Sequence, residues 1–312
     1  MPKKLVNYFS AEDQFLFYVC AFWVSVVFAG LVIGETGKVK AEREVLPPQP
    51  FVQEVPRVPK PDLRSGAILP PVLSAKAVYV VDDESGEVLF SKNESEPVLP
   101  ASTTKIATAL VALTHYNLQD VLTVGKLDAT GQTMDLQVGE EMSVENLLYG
   151  LLIFSANDAA EVLAQNYPGG RSNFIDAMNR LAKQQGLENT HFVNPVGFDE
   201  YLHFSSAQDL TKLAQYAIKN PVFAKIVATP EFSATNVDGT AVHKLANINE
   251  LIGKVPGVLG IKTGWTESAG ESLITLIERD GHKVVISLLG SADRFEETKV
   301  LLDWIFGSYE WK

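Results

Sequence analysis

From Phe15 to Ile33 the chain runs nineteen residues, FLFYVCAFWVSVVFAGLVI, without a charged side chain. Wound as a helix, such a run spans about 28 Å, close to the thickness of a hydrocarbon core. A cleaved leader has a shorter apolar core and a small-x-small cleavage site. The stretch therefore predicts a retained transmembrane helix over residues 15–33, preceded by a short tail of residues 1–14. The pattern then turns polar. Residues 34–73 hold eight of the sixteen prolines, from Pro47 to Pro71, and predict an extended, semi-rigid linker.

A folded domain is expected over residues 74–308. Ala77–Val81 and Glu87–Phe90, joined by Asp83-Glu84-Ser85-Gly86, read as strand, turn and strand. Apolar residues then change period. Ile106, Ala109, Leu110 and Leu113 recur at i, i+3, i+4 and i+7, the stripe of a helix buried along one face, with Pro100 just before it. Further helices are expected over Val144–Phe154 with Ser143 as cap, Asp158–Asn166 before Pro168-Gly169-Gly170, and Asn173–Gln185 before Gly186; another starts near Ala207 behind Ser206. Strands return at Gly260–Thr263, Ser272–Glu278 and Lys283–Leu289, and a last helix covers Arg294–Ile305. Strands at both ends with helices between them predict an α+β domain: an antiparallel sheet built from both termini, with an inserted helical subdomain.

Composition narrows the function. The net charge of −12 argues against nucleic acid and anionic membrane surfaces as partners, since both call for basic patches. Cys20 is the single cysteine, so the sequence offers neither a disulfide nor a thiolate cluster, and the five histidines lack metal-binding spacing. No metal or other cofactor is expected. Lys3 and Lys4 precede the apolar span, while Lys38, Lys40 and Arg43 follow it, so counting basic residues does not orient it. The short leading tail places the N-terminus in the cytoplasm, and the domain is then expected on the extracytoplasmic side of the cell membrane.

The candidate chemistry starts at Pro100-Ala101-Ser102-Thr103-Thr104-Lys105. On a helix, side chains at i and i+3 share a face, so the Lys105 amine can reach the Ser102 hydroxyl, and a helix N-terminus favours an oxyanion there. By composition a chain of this length holds about one S-x-x-K by chance, so the pair needs support elsewhere. Ser155-Ala156-Asn157 sits between two expected helices, and Lys262-Thr263-Gly264 ends an expected strand. The K-T-G triplet has a chance expectation of only about 0.07. A second S-x-N, Ser91-Lys92-Asn93, reads as a solvated loop.

S-x-x-K, S-x-N and K-T-G in this order form the signature of β-lactamases and penicillin-binding proteins. Over roughly Lys76 to Phe306 the chain resembles the D-alanyl-D-alanine carboxypeptidases, the low-molecular-mass penicillin-binding proteins. SANDAA at 155–160, Met178-Asn179, NTHFVNPVG at 189–197, Asn247-Ile248-Asn249 and GIKTGWTESAG at 260–270 carry the likeness further. The resemblance implies a β-lactamase/transpeptidase-like fold and a serine peptidase that removes the terminal D-Ala from peptidoglycan stem peptides and is acylated by β-lactams. It implies Ser102 as nucleophile, Lys105 as its base, Ser155 as proton relay to the leaving amine, and Asn157 as a group that orients Lys105 and binds the substrate amide. Burial and a neighbouring cation, Lys262, are expected to depress the Lys105 pKa, Thr263 to bind the peptide carboxylate, and the Ser102 and Trp265 backbone N–H groups to form the oxyanion hole beside Gly264. Arg294 is assigned by the same likeness to the carboxylate; by itself it reads equally well as a surface arginine at a helix start. The edge of the K-T-G strand offers an extended peptide a place to pair.

With the chain ending at Lys312, no counterpart of the family's C-terminal β domain and amphipathic tail is expected, and the Phe15–Ile33 span would serve as anchor. A class A β-lactamase would need a glutamate in an E-x-x-x-N context after S-x-N, which residues 189–194 lack. A D,D-endopeptidase of the same fold and an inactive muropeptide sensor are the other readings; the intact polar set speaks against the sensor.

Overall fold

The computed structural model describes residues 58–127 and 129–312. The expected transmembrane helix, the tail and most of the linker lie outside the described residues. Five antiparallel strands form the central sheet: β2 (Ala77–Asp82), β3 (Val88–Lys92), β8 (Val258–Thr266), β9 (Gly270–Arg279) and β10 (His282–Ser291), in the order β3-β2-β10-β9-β8. Two come from the N-terminal side of the domain and three from the C-terminal side, as the hydrophobic pattern predicts.

Both faces of this sheet are covered, and the period of two sorts its side chains. Val78, Val80, Ile277, Val284, Ile286 and Leu288 pack under α7 (Arg294–Ser308) with Leu301, Leu302 and Ile305. Ala77, Val81, Ile274, Leu276, Val285 and Leu289 face the helical body. That body comprises α1 (Lys105–His115), α2 (Val144–Tyr149), α3 (Asn157–Gln165), α4 (Gly170–Gln184), α5 (Ala207–Ala217) and α6 (Pro221–Val227). Two small hairpins flank it, β4 (Val121–Thr123) with β5 (Glu141–Ser143) and β6 (Glu231–Thr235) with β7 (Val242–Ala246).

Local chemistry explains several boundaries. The Ser143 hydroxyl accepts from the Asn146 N–H and the Ser206 hydroxyl from the Asp209 N–H, so α2 and α5 begin where their caps place them. The Asn220 side chain caps α6, which carries Pro221 in its first turn. The expected continuous helix to Phe154 instead leaves α-geometry at Gly150. It passes through a π-turn over Gly150–Phe154 and stops at Ser155, whose φ of 65° is left-handed.

Other expectations are corrected. The helix α1 is not amphipathic in its setting: every residue from Lys105 to Ala112 is buried, because α3, α4, α5 and the 150–154 segment pack around it. The strands β8 to β10 outrun their apolar cores, since ladder hydrogen bonding continues through glycine and polar residues. Ser91 and Lys92 lie in β3, not in a solvated loop, and the Lys92 amine donates to the Leu73 and Ala75 carbonyls at 2.9 and 2.6 Å.

The boundary expected at Ser74 also moves. β1 (Pro61–Leu63) pairs antiparallel with β11 (Tyr309–Trp311), and the Trp304 indole N–H donates to the Ile68 carbonyl at 3.0 Å. Residues 61–68, read from proline content as linker, are thus fastened to the domain, which extends to β11. Pro61 fits because strand edges tolerate a missing N–H.

Candidate active site

Ser102 sits on a 3-10 turn, Ala101–Thr104, that runs into α1. In this tighter helix, side chains at i and i+3 eclipse, which brings the Lys105 amine to 2.9 Å from the Ser102 Oγ. The turn is held from several sides. The Thr103 hydroxyl donates to the Pro100 carbonyl at 2.6 Å, and Thr104 Oγ1 meets His203 Nε2 at 2.9 Å. Ala101 is buried with a left-handed φ of 49°, a conformation retained only where the surroundings over-determine it.

Lys105 is 0% exposed. Its amine lies 2.7 Å from Asn157 Oδ1 and 2.7 Å from the Val196 carbonyl, as well as beside Ser102. As a free base the amine has two N–H donors and one lone pair. The two carbonyl oxygens take the donors, which leaves the lone pair for the Ser102 hydroxyl proton. Burial lowers the Lys105 pKa from 10.5 to about 7, and the nearby Asp158 and Glu161 carboxylates oppose that shift.

Of burial and the Lys262 charge, the two causes expected for this shift, burial is the main one. Lys262 is itself 1% exposed, and its amine reaches Ser155 Oγ at 2.8 Å and the Thr263 carbonyl at 3.0 Å. Burial holds its pKa well below the usual lysine range, with the Lys105 and Arg294 charges adding to the effect. Two buried amines, one bonded to Ser102 and the other to Ser155, disfavour a second positive charge.

The remaining expected residues fall around the same space. Ser155 closes the π-turn, and Asn157 opens α3, where its Nδ2 also donates to the Thr130 carbonyl at 2.6 Å. On β8, Thr263 is 3% exposed, borders the cleft, and has an Oγ1 with no hydrogen-bond partner among the described residues. A Cβ added at Gly264 would lie 3.1 Å from both the Pro100 carbonyl oxygen and the Ser102 N. A side chain there would push the strand and the serine turn apart by a few tenths of an ångström. The Trp265 side chain is 61% exposed at the mouth. Arg294, open between two readings in the sequence, lines the cleft, with its Nη1 donating to the Gly264 carbonyl at 3.0 Å and its guanidinium 4.8 Å from the centre of the Phe295 ring. The cleft encloses about 530 Å³ and is bordered by Ser102, Ser155, Asn157, Thr263, Trp265 and Arg294.

Sequence reasoning missed several contributors. Val196 acts through its carbonyl, which leaves no side-chain signature. A Cβ at Gly197, where φ is +95°, would overlap the Ala101 carbonyl. Asp158 accepts from the Met134 and Leu136 N–H groups at 3.1 Å each, fixing the segment that presents Gly131 and Gln132 to the cleft. The turn signals of Asn194-Pro195 and Gly197 were the available hint.

Residues 66–293 match the D-alanyl-D-alanine carboxypeptidase family. The chain is 33% identical over 247 residues to D-alanyl-D-alanine carboxypeptidase DacF of Bacillus subtilis, an alignment covering 76% of this chain and 63% of that protein. It is 31% identical to D-alanyl-D-alanine carboxypeptidase DacB2 of Mycobacterium tuberculosis, covering 78% and 86%. The crystal structure of the Streptomyces K15 DD-transpeptidase superposes with a TM-score of 0.72 at 30% identity, covering 77% of this chain and 99% of that one. With fold, motif order and sequence in agreement, the chain belongs to the D-alanyl-D-alanine carboxypeptidase family.

Proposed function

We propose that this protein is a membrane-anchored serine D-alanyl-D-alanine carboxypeptidase that trims peptidoglycan stem peptides through an acyl-enzyme on Ser102. The observation that carries the reading is the Lys105 amine: buried, 2.9 Å from Ser102 Oγ, with two carbonyl acceptors for its other hydrogens. In the first half-reaction the Ser102 proton passes to Lys105 Nζ as Oγ bonds to the carbonyl carbon of the penultimate D-Ala. The Ser102 and Trp265 N–H groups hold the oxyanion, a contribution worth about 3 kcal/mol per donor. Collapse breaks the peptide bond, and the proton taken up by Lys105 passes through Ser155 to the leaving amine, which returns the lysine to its free base. Water, deprotonated by the same lysine, then cleaves the ester. Lys262, Thr263 and Arg294 receive the substrate carboxylate, and Asn157 the peptide amide. A β-lactam acylates the same serine but keeps its leaving amine tethered.

In this reading residues 1–14 are cytoplasmic, 15–33 anchor the protein, and the domain from about residue 58 stands outside the membrane on the intervening tether. No helix among the described residues is long and apolar enough to cross a membrane, so the anchor rests on the Phe15–Ile33 run alone. Proteolysis of intact spheroplasts tests the topology: the domain should be shed, and protection of it would refute the orientation.

Labelling with a fluorescent penicillin tests the chemistry, with a stable adduct expected on the wild type and none on Ser102→Ala. Adduct formation on the substituted protein would refute the nucleophile. One relative, 33% identical and from Pseudomonas aeruginosa, is named a D-alanyl-D-alanine endopeptidase, which supports a second reading. Incubation with a pentapeptide and with a cross-linked dimer separates the two, since free D-Ala marks the first activity and loss of the dimer the second.

A further inference from the structure

The loop of residues 193–197 is stitched to the serine turn and to α1. The Val193 N–H donates to His203 Nδ1 at 3.1 Å, and His203 Nε2 meets Thr104 Oγ1. The Thr108 hydroxyl donates to the Pro195 carbonyl at 2.6 Å, and Lys105 to the Val196 carbonyl at 2.7 Å. Gly197 presses against the Ala101 carbonyl. One side chain gives this loop its shape. Asn194, 0% exposed, accepts at Oδ1 from the N–H groups of Val196, Gly197 and Phe198 at 3.2, 2.7 and 3.1 Å. Its Nδ2 donates to the Phe198 carbonyl at 3.0 Å and to Glu200 Oε1 at 2.9 Å.

We propose that Asn194 is a positioning residue for acylation: by folding the 193–197 loop around its amide, it fixes the Val196 carbonyl that aims the Lys105 amine and keeps water from it. The proposal deepens the peptidase reading and rests on it. A carbonyl in a loop can drift when its turn loses its hydrogen bonds. Asn supplies one acceptor to three successive N–H groups, an arrangement an aliphatic side chain cannot reproduce. Without it, the two acceptors that orient the free amine reduce to Asn157 alone, and the lone pair is no longer held toward Ser102.

The charged groups that face Lys105 come from two other elements. Asp158 and Glu161 on α3 raise its pKa, and Lys262 on β8, bonded to Ser155 Oγ, lies near enough for the two amines' charges to oppose each other. Glu200 stands behind Asn194, and the His203 ring, buried and held neutral, faces Thr104. Asn194→Ala changes none of these charges. It changes hydration, the dominant cause of the Lys105 shift, so the midpoint at which the amine becomes a base should rise.

The test is the pH dependence of the second-order rate of acylation by a fluorescent penicillin, measured from pH 5 to 10 on the full chain in detergent. For Asn194→Ala the rate at pH 7 should fall about 100-fold, the scale of a misplaced catalytic group. The midpoint should move up by roughly one pH unit, so that the deficit narrows toward pH 9. Thr108→Val, which removes only the hydroxyl bonded to the Pro195 carbonyl, should move both quantities in the same direction by less, and it decides the matter if the alanine variant does not fold. A folded variant with a pH-independent deficit and the wild-type midpoint overturns the proposal. Absence of any wild-type adduct overturns the peptidase reading and this one with it.

Discussion

The protonation of Lys105 gives the sharpest quantitative consequence of this site. With a pKa of about 7, half of the lysine is free base at pH 7 and about 1% at pH 5. An ordinary lysine near 10.4 would be about 0.04% free base at pH 7, so burial raises the competent fraction on the order of 10³-fold. Acylation of Ser102 should therefore rise about 50-fold between pH 5 and pH 7 and level off above pH 8. Stopped-flow measurement with a chromogenic β-lactam reads this directly, and Lys105→Met should lower the plateau by about 10³-fold. A profile that is flat from pH 5 to 8, or one that keeps rising to a midpoint near 10, would refute the claim that a buried neutral amine is the base.

Three further outcomes follow from the same structure. Because the folded-state pKa of Lys105 lies below its unfolded value of 10.5, the unfolded chain holds the extra proton between about pH 7 and 10.5, and folding stability rises with pH across that window. The penalty below pH 7 is on the order of 5 kcal/mol, so urea unfolding should show Lys105→Met more stable than the wild type at pH 6, with the gap closing by pH 10; a constant gap would count against it. Gly264→Ala places a methyl 3.1 Å from the Ser102 N and should slow acylation by about 10-fold or more with little loss of thermal stability. Wild-type kinetics would mean that the strand and the serine turn are not tightly apposed. His203 is buried neutral, its pKa lowered by burial from 6.5 to about 4, so its share of stability is lost as pH falls through that window, about 3 kcal/mol in full. His203→Gln should flatten this part of the acid unfolding curve, and an unchanged curve would refute the assignment.

Much of the fold was legible because it depends on short-range chemistry. Ser143, Ser206 and the glycine-bounded strands announce themselves through caps and turns that the backbone requires locally. The S-x-x-K spacing determined that one amine would meet one hydroxyl, since separation by three residues forces it in a 3-10 or an α-helix. The sequence also specified the order of strands and helices, and with it a sheet closed by both ends of the domain.

Tertiary structure decided the rest. Lys105 is a candidate base because α3, the sheet and the 193–197 loop remove water from it, and no spacing encodes desolvation. Lys262 meets Ser155 across 107 positions, and Arg294 reaches the cleft only because α7 begins beside β8. Val196 serves through a carbonyl that every residue has, so its role belongs to the path of the chain. The proline-bearing segment from Pro61 became a strand because the C-terminal residues 309–311 offered an edge to pair with. Composition predicts where a chain can stay extended; it does not say which partner will be waiting.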